Sequence, residues 1–308
     1  MKILVTGGTG MIGHAFKNIE TERELVLVGS TEYNLANKFD VESMFETEKP
    51  DAVIHLAARV GGVKGNHDFV ADFFYENTVI NVNLLNCAKN AGIKKVVSLL
   101  STCVYPDKVT YPLTEDQIHN GEPHFSNFGY AYAKRMLDVY SRAIRRQYGF
   151  KYVTAVPNNL YGPNDNYDLV NGHVVAAVIR KIYDAKFNNK IPVFWGSGNP
   201  LREFTYTKDI AKILLWMVEN YDDEKPLNIG NSKEYAIKDL VRIVSELLDY
   251  QGDIQWDKTM PEGQYKKPSS NYKFKELRPD FEFTDLSVGL SENIQWYKEV
   301  FPNIRGLR

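Results

Sequence analysis

Short, continuous apolar runs alternate with amphipathic stretches through the first half of the chain. Residues 2–6, 25–29, 52–55 and 95–100 are rich in Val, Ile and Leu and are bounded by polar or glycine-bearing segments. Runs without polar alternation suit strands buried on both faces of a parallel sheet. Between them, helical spacing predicts helices over 11–19, over 41–49 behind Asp40 as a cap, and over about 71–91, stopping at Gly92. Ser126 or Asn127 is placed to cap a further helix over 130–148, with Gly149 just past its end. A fifth buried strand is expected at 152–156. Strands alternating with helices predict right-handed βαβ units and an α/β fold with a doubly wound parallel sheet of Rossmann type.

The texture changes after Pro157. Residues 158–172 are rich in Asn, Asp, Gly and Pro and read as loop. An amphipathic helix is predicted over 174–183, a short strand over 192–195, and helices over about 237–250 and 286–301. The expected division is therefore a dinucleotide-binding domain at 1–160, to which part of 203–232 returns. A smaller α+β substrate-binding domain at 161–308 is laid over the carboxyl ends of the strands, where such folds bind ligands.

Composition narrows the function classes. The 308 residues are 44% hydrophobic and 25% charged, which excludes a disordered or collagen-like chain. A net charge of −2 argues against a nucleic-acid or membrane-surface partner. No apolar run approaches the roughly 18 residues that cross a bilayer, and the stretch before Gly7 is too short for a signal peptide. Two cysteines do not make a disulfide scaffold, so a reducing, cytoplasmic setting is expected. No pattern calls for a metal.

Gly7, Gly10 and Gly13 follow the first strand and open the first helix, with Met11 and Ile12 inside the motif. Glycines at that spacing allow a tight turn, close approach of a diphosphate to backbone amides, and close packing of helix on strand. Leu56-Ala57-Ala58, directly after the third strand, together with the strand–loop–helix context, favours a dinucleotide site over a ligand-free glycine turn. The second strand ends at Val28-Gly29-Ser30-Thr31, and the first acid, Glu32, comes late. An early acid would bind the ribose 2′-hydroxyl of NAD, so its absence favours NADP.

Tyr130 and Lys134 lie four apart on one helix face. A free phenol titrates too high to exchange protons well at neutral pH. A neighbouring ammonium favours the phenolate and is expected to bring it down. Ser101, at the end of the fourth strand, completes a Ser/Tyr/Lys set suited to proton transfer at a carbonyl beside a hydride carrier. Alone, a Tyr and Lys at this spacing is as readily a surface pair; the glycine loop and strand-end serine upstream favour the catalytic reading.

These motifs resemble the extended short-chain dehydrogenase/reductases, in their nucleotide-sugar branch. The resemblance is carried by Gly7–Gly13; Arg59-Val60-Gly61-Gly62; Ser101-Thr102-Cys103-Val104-Tyr105-Pro106; Tyr130 with Lys134; Asn159 to Asn166; Gly172-His173-Val174; Trp195 to Phe204; and Gly263 to Lys267. The Ser-Thr-Cys-x-Tyr-Pro and Gly-His-Val segments are the specific ones, and they resemble the 3,5-epimerase/4-reductases that act on GDP-4-keto-6-deoxymannose.

Inverting carbons 3 and 5 of a 4-keto sugar requires a base to remove the proton α to the ketone and an acid to return one on the other face. By themselves, a cysteine at Cys103 is more often a small buried hydrophobe and a histidine at His173 an ordinary loop residue. The resemblance implies that they are that pair. Cys87, on an apolar helix face, reads as core.

The resemblance also implies NADPH as cofactor, with Ser30, Asp40, Leu99, Pro157, Asn159, Leu160 and His173 joining the glycine loop, Leu56–Ala58, Tyr130 and Lys134 around it. For the GDP-sugar it implies Asn159, Val174, Lys181, Trp195, Arg202, Glu262 and Lys267; cations suit a diphosphate and Trp can stack on a ring. It implies a homodimer packed through the helices near 71–91 and 130–148. Two departures stand out: Asn77-Thr78-Val79-Ile80-Asn81 replaces the family's Asn-Val-x-Gly-Thr, weakening a proton relay through Asn77, and Lys181 stands where arginine is common. Cys103-Val104 replaces the Asp-Glu pair of dehydratases, and Pro106 the Gly of sugar 4-epimerases. A non-catalytic NADP-binding sensor would be marked by loss of Tyr130 or Lys134, and both are present.

Overall fold

The computed structural model describes residues 1–61, 65, 68–188, 190–260 and 264–307. Glu262, and the glycines at 62 and 263 in the motifs above, lie outside the described residues. The first half runs β1 (Lys2–Thr6), α1 (Met11–Phe16), β2 (Glu24–Val28), α2 (Lys38–Glu48), β3 (Ala52–His55), α3 (Val70–Asn90), β4 (Lys95–Leu99), α4 (Phe128–Tyr148) and β5 (Lys151–Val156). The second half adds β6 (Asn159–Tyr161), α5 (Val174–Asn188), β7 (Val193–Trp195), β8 (Leu201–Tyr206), α6 (Thr207–Asn220) and β9 (Leu227–Asn228). It ends with β10 (Glu234–Ala236), α7 (Ile237–Leu247), β11 (Gln255–Asp257), α8 (Tyr272–Leu277) and α9 (Leu286–Val300).

Six strands form one parallel sheet in the order β2-β1-β3-β4-β5-β9. Strand residues alternate between faces, so neighbours in one strand serve different cores. Leu4, Val53, Val96 and Tyr152 meet Val41, Met44, Leu84, Leu85, Leu137 and Ile144 beneath α2, α3 and α4. Ile3, Val5, Ile54, Val97 and Val153 meet Phe16 of α1 and Ile210, Leu214 and Met217 of α6. Full burial of each such side chain is worth about 1.5–3 kcal/mol relative to exposure. The strand order reverses between β1 and β3, so the loops after β1, β3 and β4 open at one crevice. A third core, with Tyr161, Tyr167, Ile179, Phe204, Leu240, Leu290 and Tyr297, joins α5, α7 and α9 to the sheet β10-β8-β6.

Several sequence expectations change. The stretch read as loop after Pro157 contains β6, which pairs with β8. No helix is named within the 203–232 segment expected to return, and that segment forms α6, whose apolar face closes one side of the parallel sheet, and β9, which adds that sheet's sixth strand. Helix α5 continues to Asn188. Helix α2 starts at Lys38, and its cap is Asn37, whose side chain accepts from the Phe39 amide at 3.0 Å. Asp40 instead sits in the first turn, accepting from the Asn34 amide at 3.1 Å and from Asn37 Nδ2 at 3.0 Å.

Candidate active site

Packing dictates the glycines of the first loop. Gly7 has φ +74°, and a Cβ there would lie 2.9 Å from the Ala57 nitrogen. A side chain at Gly13 would run into the Gly7 carbonyl oxygen. At Gly10, by contrast, a Cβ would meet the Gly7 oxygen at 3.2 Å and nothing else nearby among the described residues. The Gly10 amide closes the turn on the Gly7 carbonyl at 2.9 Å, and Met11 and Ile12 open α1. The result is a backbone cradle at a helix start, with Leu56, Ala57 and Ala58 half-buried opposite, and it fits a dinucleotide diphosphate. Asn164 Nδ2 reaches the Thr9 carbonyl at 2.9 Å, tying the loop after β6 to this cradle.

Glu32 turns back on its own chain, accepting from the Gly29 amide at 2.7 Å, while Ser30 is exposed. The carboxylate that could have favoured a 2′-hydroxyl is thus engaged at the turn. Both oxygens of Asp40, expected near the cofactor, are likewise engaged by Asn34 and Asn37.

Two successive side chains of α4 grip the segment after β4. Lys134 Nζ donates to the Leu99 carbonyl at 2.7 Å, and Arg135 Nε donates to the Val104 carbonyl at 2.7 Å. Between these anchors, Ser101 Oγ accepts from the Cys103 amide at 3.5 Å at the start of a single 3-10 turn. Leu99 therefore contributes its carbonyl here, and its side chain lies in the core. Pro157 is buried and Leu160 packs against that same core.

The electrostatics correct one expectation. Lys134 does not draw the phenol down: burial, reinforced by Cys103, pushes Tyr130 far above the ordinary tyrosine range. Burial also lowers Lys134, to about 8. Tyr130 is then protonated at neutral pH, the form that can give a proton to a ketone oxygen. Burial raises the Cys103 thiol too, while the Ser101 hydrogen bond and the Lys267 and Lys134 ammonium groups pull it back. Cys87 is buried in the core, as expected.

His173 stands immediately before α5. Its Nδ1 lies 3.0 Å from Asp165 Oδ1, and that hydrogen bond holds the imidazole above its ordinary value. Val174, next to it, is exposed. Lys181 Nζ donates to the Val193 carbonyl at 2.7 Å beside the Phe194 ring, and Trp195 is 62% exposed. Arg202 donates to the Leu201 carbonyl at 2.6 Å, and Asn159 Nδ2 to the Glu203 carbonyl at 2.8 Å. Lys267 was expected on the GDP-sugar alone. Its amine instead also reaches the reactive turn, 3.3 Å from the Thr102 carbonyl, and acts on Cys103.

Sequence reasoning gave no role to several residues that shape the site. Asp165 and Asn164 lie in the polar Asn159–Asn166 stretch that carries the resemblance, but that stretch gives neither of them a role. His55 Nδ1 meets Thr6 Oγ1 at 2.8 Å and its Nε2 meets Asn81 Oδ1 at 3.0 Å, while Asn81 Nδ2 donates to the Ala133 carbonyl at 3.3 Å. That buried chain links β1, β3 and α3 to the Tyr130–Lys134 turn. Asn77 fixes the loop after β3, exchanging hydrogen bonds with the Arg59 backbone.

Residues 3–230 match the NAD dependent epimerase/dehydratase family. The GDP-L-fucose synthase of Dictyostelium discoideum is 43% identical over 98% of this chain and 97% of its own length. That of Escherichia coli K12 is 31% identical over 99% of both chains. A crystal structure of a GDP-L-fucose synthetase from Naegleria fowleri bound to NADP superposes with a TM-score of 0.93 at 39% identity, covering 99% of this chain and 96% of that one. Fold, cradle and sequence agree, and the chain belongs to the NAD dependent epimerase/dehydratase family, in the branch that holds the GDP-L-fucose synthases.

Proposed function

We propose that this chain is an NADP-dependent enzyme that inverts carbons 3 and 5 of GDP-4-keto-6-deoxymannose and reduces carbon 4, giving GDP-L-fucose. The observation that carries this reading is the turn after β4, where Ser101 and Cys103 share one segment clamped by Lys134 and Arg135. A reductase alone needs the serine; the cysteine beside it has a use in removing a proton α to the ketone. Cys103, as thiolate when Lys267 and Lys134 favour that form, takes the proton from carbon 3 or 5. His173 returns one from the other face. Ser101 and Tyr130 then hold the ketone oxygen, and Tyr130 protonates it. NADPH, when bound, supplies the hydride to carbon 4.

The cradle at Gly7–Gly13, Ala57 and Lys134 would hold the cofactor, and Ser30, exposed just past β2, would meet a 2′-phosphate. Lys181, Arg202 and Lys267 provide the cations for a diphosphate, with Asn159, Val174 and Trp195 beside the sugar or base. Phe74, Tyr75 and Val82 of α3 and Val139 of α4 are exposed, which supports a homodimer through these helices. Both cysteines are free, which supports a reducing, cytoplasmic setting. Among the described residues no helix is long and apolar enough to cross a membrane.

Incubation with NADPH and GDP-4-keto-6-deoxymannose is expected to consume NADPH and yield GDP-L-fucose. A product that keeps the manno configuration at carbons 3 and 5 would reduce the reading to that of a simple ketoreductase. Sedimentation of the wild type as a dimer, and of Tyr75→Glu as a monomer, checks the assembly.

A further inference from the structure

We propose that Asp165 is a positioning residue for His173, fixing the ring so that Nδ1 carries a proton and Nε2 is the atom that faces substrate. The proposal rests on the reading that His173 is the acid of the inversion steps.

The geometry is that of a buried acceptor behind a half-exposed ring. Asp165 is 4% exposed, whereas the His173 side chain is 48% exposed. Asp165 Oδ1 lies 3.0 Å from His173 Nδ1 and accepts from the Asn166 amide at 2.7 Å. A carboxylate can only accept, so Nδ1 must be the donor and the neutral ring is protonated there. Oδ2 is buried and has no hydrogen-bond partner among the described residues. A carboxylate so placed, with half its acceptor capacity unused, responds strongly to a positive charge forming on the adjacent ring.

Both partners are anchored independently. The loop carrying Asp165 is pinned by the Tyr167 amide to the Arg305 carbonyl at 2.9 Å and by the Tyr167 hydroxyl to Asn293 of α9 at 2.8 Å. The His173 carbonyl accepts from the Ala177 amide at 2.9 Å in the first turn of α5. Asp165 favours the imidazolium, and Arg305, from the C-terminal segment, opposes it. When His173 acts, the Nε2–H bond breaks with its electron pair left on nitrogen. The enolate pair of the substrate forms the new C–H bond, and Nδ1–H stays with Asp165.

Nitrogen-15 NMR of the imidazoles tests this without any ligand. In the wild type, the neutral form of His173 is expected to be protonated at Nδ1, and an Nε2-protonated neutral form overturns the proposal. Asp165→Asn is expected to lower the His173 titration midpoint by about one unit or more, and an unchanged midpoint in the folded variant overturns it. Asp165→Glu keeps a carboxylate and is expected to retain the raised midpoint; its loss there also counts against the assignment. With substrate, Asp165→Asn is expected to shift the alkaline limb of deuterium incorporation at carbons 3 and 5 to lower pH. Reduction of a 4-keto sugar already inverted at those carbons is expected to change less than twofold. Failure of the wild type to make GDP-L-fucose would sink the functional reading and leave the tautomer result standing.

Discussion

Lys134 Nζ donates to the Leu99 carbonyl at 2.7 Å while lying 5.8 Å from the centroid of the Tyr130 ring. The ammonium is held to the strand end, so burial controls the phenol and leaves it protonated. In the reducing direction that is the useful state. Tyr130→Phe is expected to lower kcat for NADPH oxidation by about 10²–10⁴-fold, the range for loss of a general acid. Deuterium exchange at carbons 3 and 5 should fall much less, and comparing the two rates in one preparation checks it.

The same burial gives a pH dependence. Lys134 titrates at about 8, so its charge is present below that pH and lost above it. kcat/KM for the reduction is expected to fall as pH rises through about 8, since that ratio reports free-enzyme groups. Lys134→Met should be slow at every pH and show no such limb.

Lys267 reaches the Thr102 carbonyl and pulls the Cys103 thiol towards thiolate. Lys267→Met removes that pull, so the thiol should titrate higher and alkylate several-fold more slowly near neutral pH. Iodoacetamide labelling of the Cys103 peptide across a pH series, read by mass spectrometry, measures it. An unchanged profile would detach Lys267 from the cysteine.

Arg202 is the part-buried guanidinium of the three cations assigned to the diphosphate. Loss of a charge-assisted contact of about 1.5–3 kcal/mol predicts that Arg202→Met raises KM by about 10–100-fold with a smaller change in kcat. Steady-state kinetics distinguishes this from a fall in kcat alone.

The parallel sheet was legible because its strands are buried on both faces, so β1, β3 and β4 read as unbroken apolar runs. Part of 203–232 is expected to return to the sheet, but the helix α6 within it was not legible, since its apolar face matches strands formed well upstream and nothing local names that partner. Strand β6 is three residues long and starts with Asn159, so its polar, glycine-rich surroundings dominate its pattern. Among site residues, Tyr130, Lys134 and the glycines announce themselves by spacing. Asp165 does not, because its meaning comes from His173 and from a burial that only the folded loop creates. Lys267 is likewise marked only for the GDP-sugar, and its reach to Thr102 comes from the fold.

His55 links Thr6 to Asn81 with no exposure, and burial lowers its pKa from 6.5 to about 3. Between those values the unfolded chain binds a proton that the folded protein refuses, so stability falls as pH drops through that window. His55→Gln, which has no such proton to gain, should flatten the loss. Urea unfolding at a series of pH values between 6.5 and about 3 checks the slope.

The central claim is that one site performs proton exchange at two carbons and reduction at a third, with Cys103 serving the first and Tyr130 the second. Product formed from GDP-4-keto-6-deoxymannose and NADPH in deuterated water measures it directly. The account predicts deuterium at carbons 3 and 5 of GDP-L-fucose, exchange abolished in Cys103→Ser, and exchange surviving in Tyr130→Phe. Product free of deuterium at those carbons, or exchange lost with Tyr130 and kept without Cys103, would contradict it.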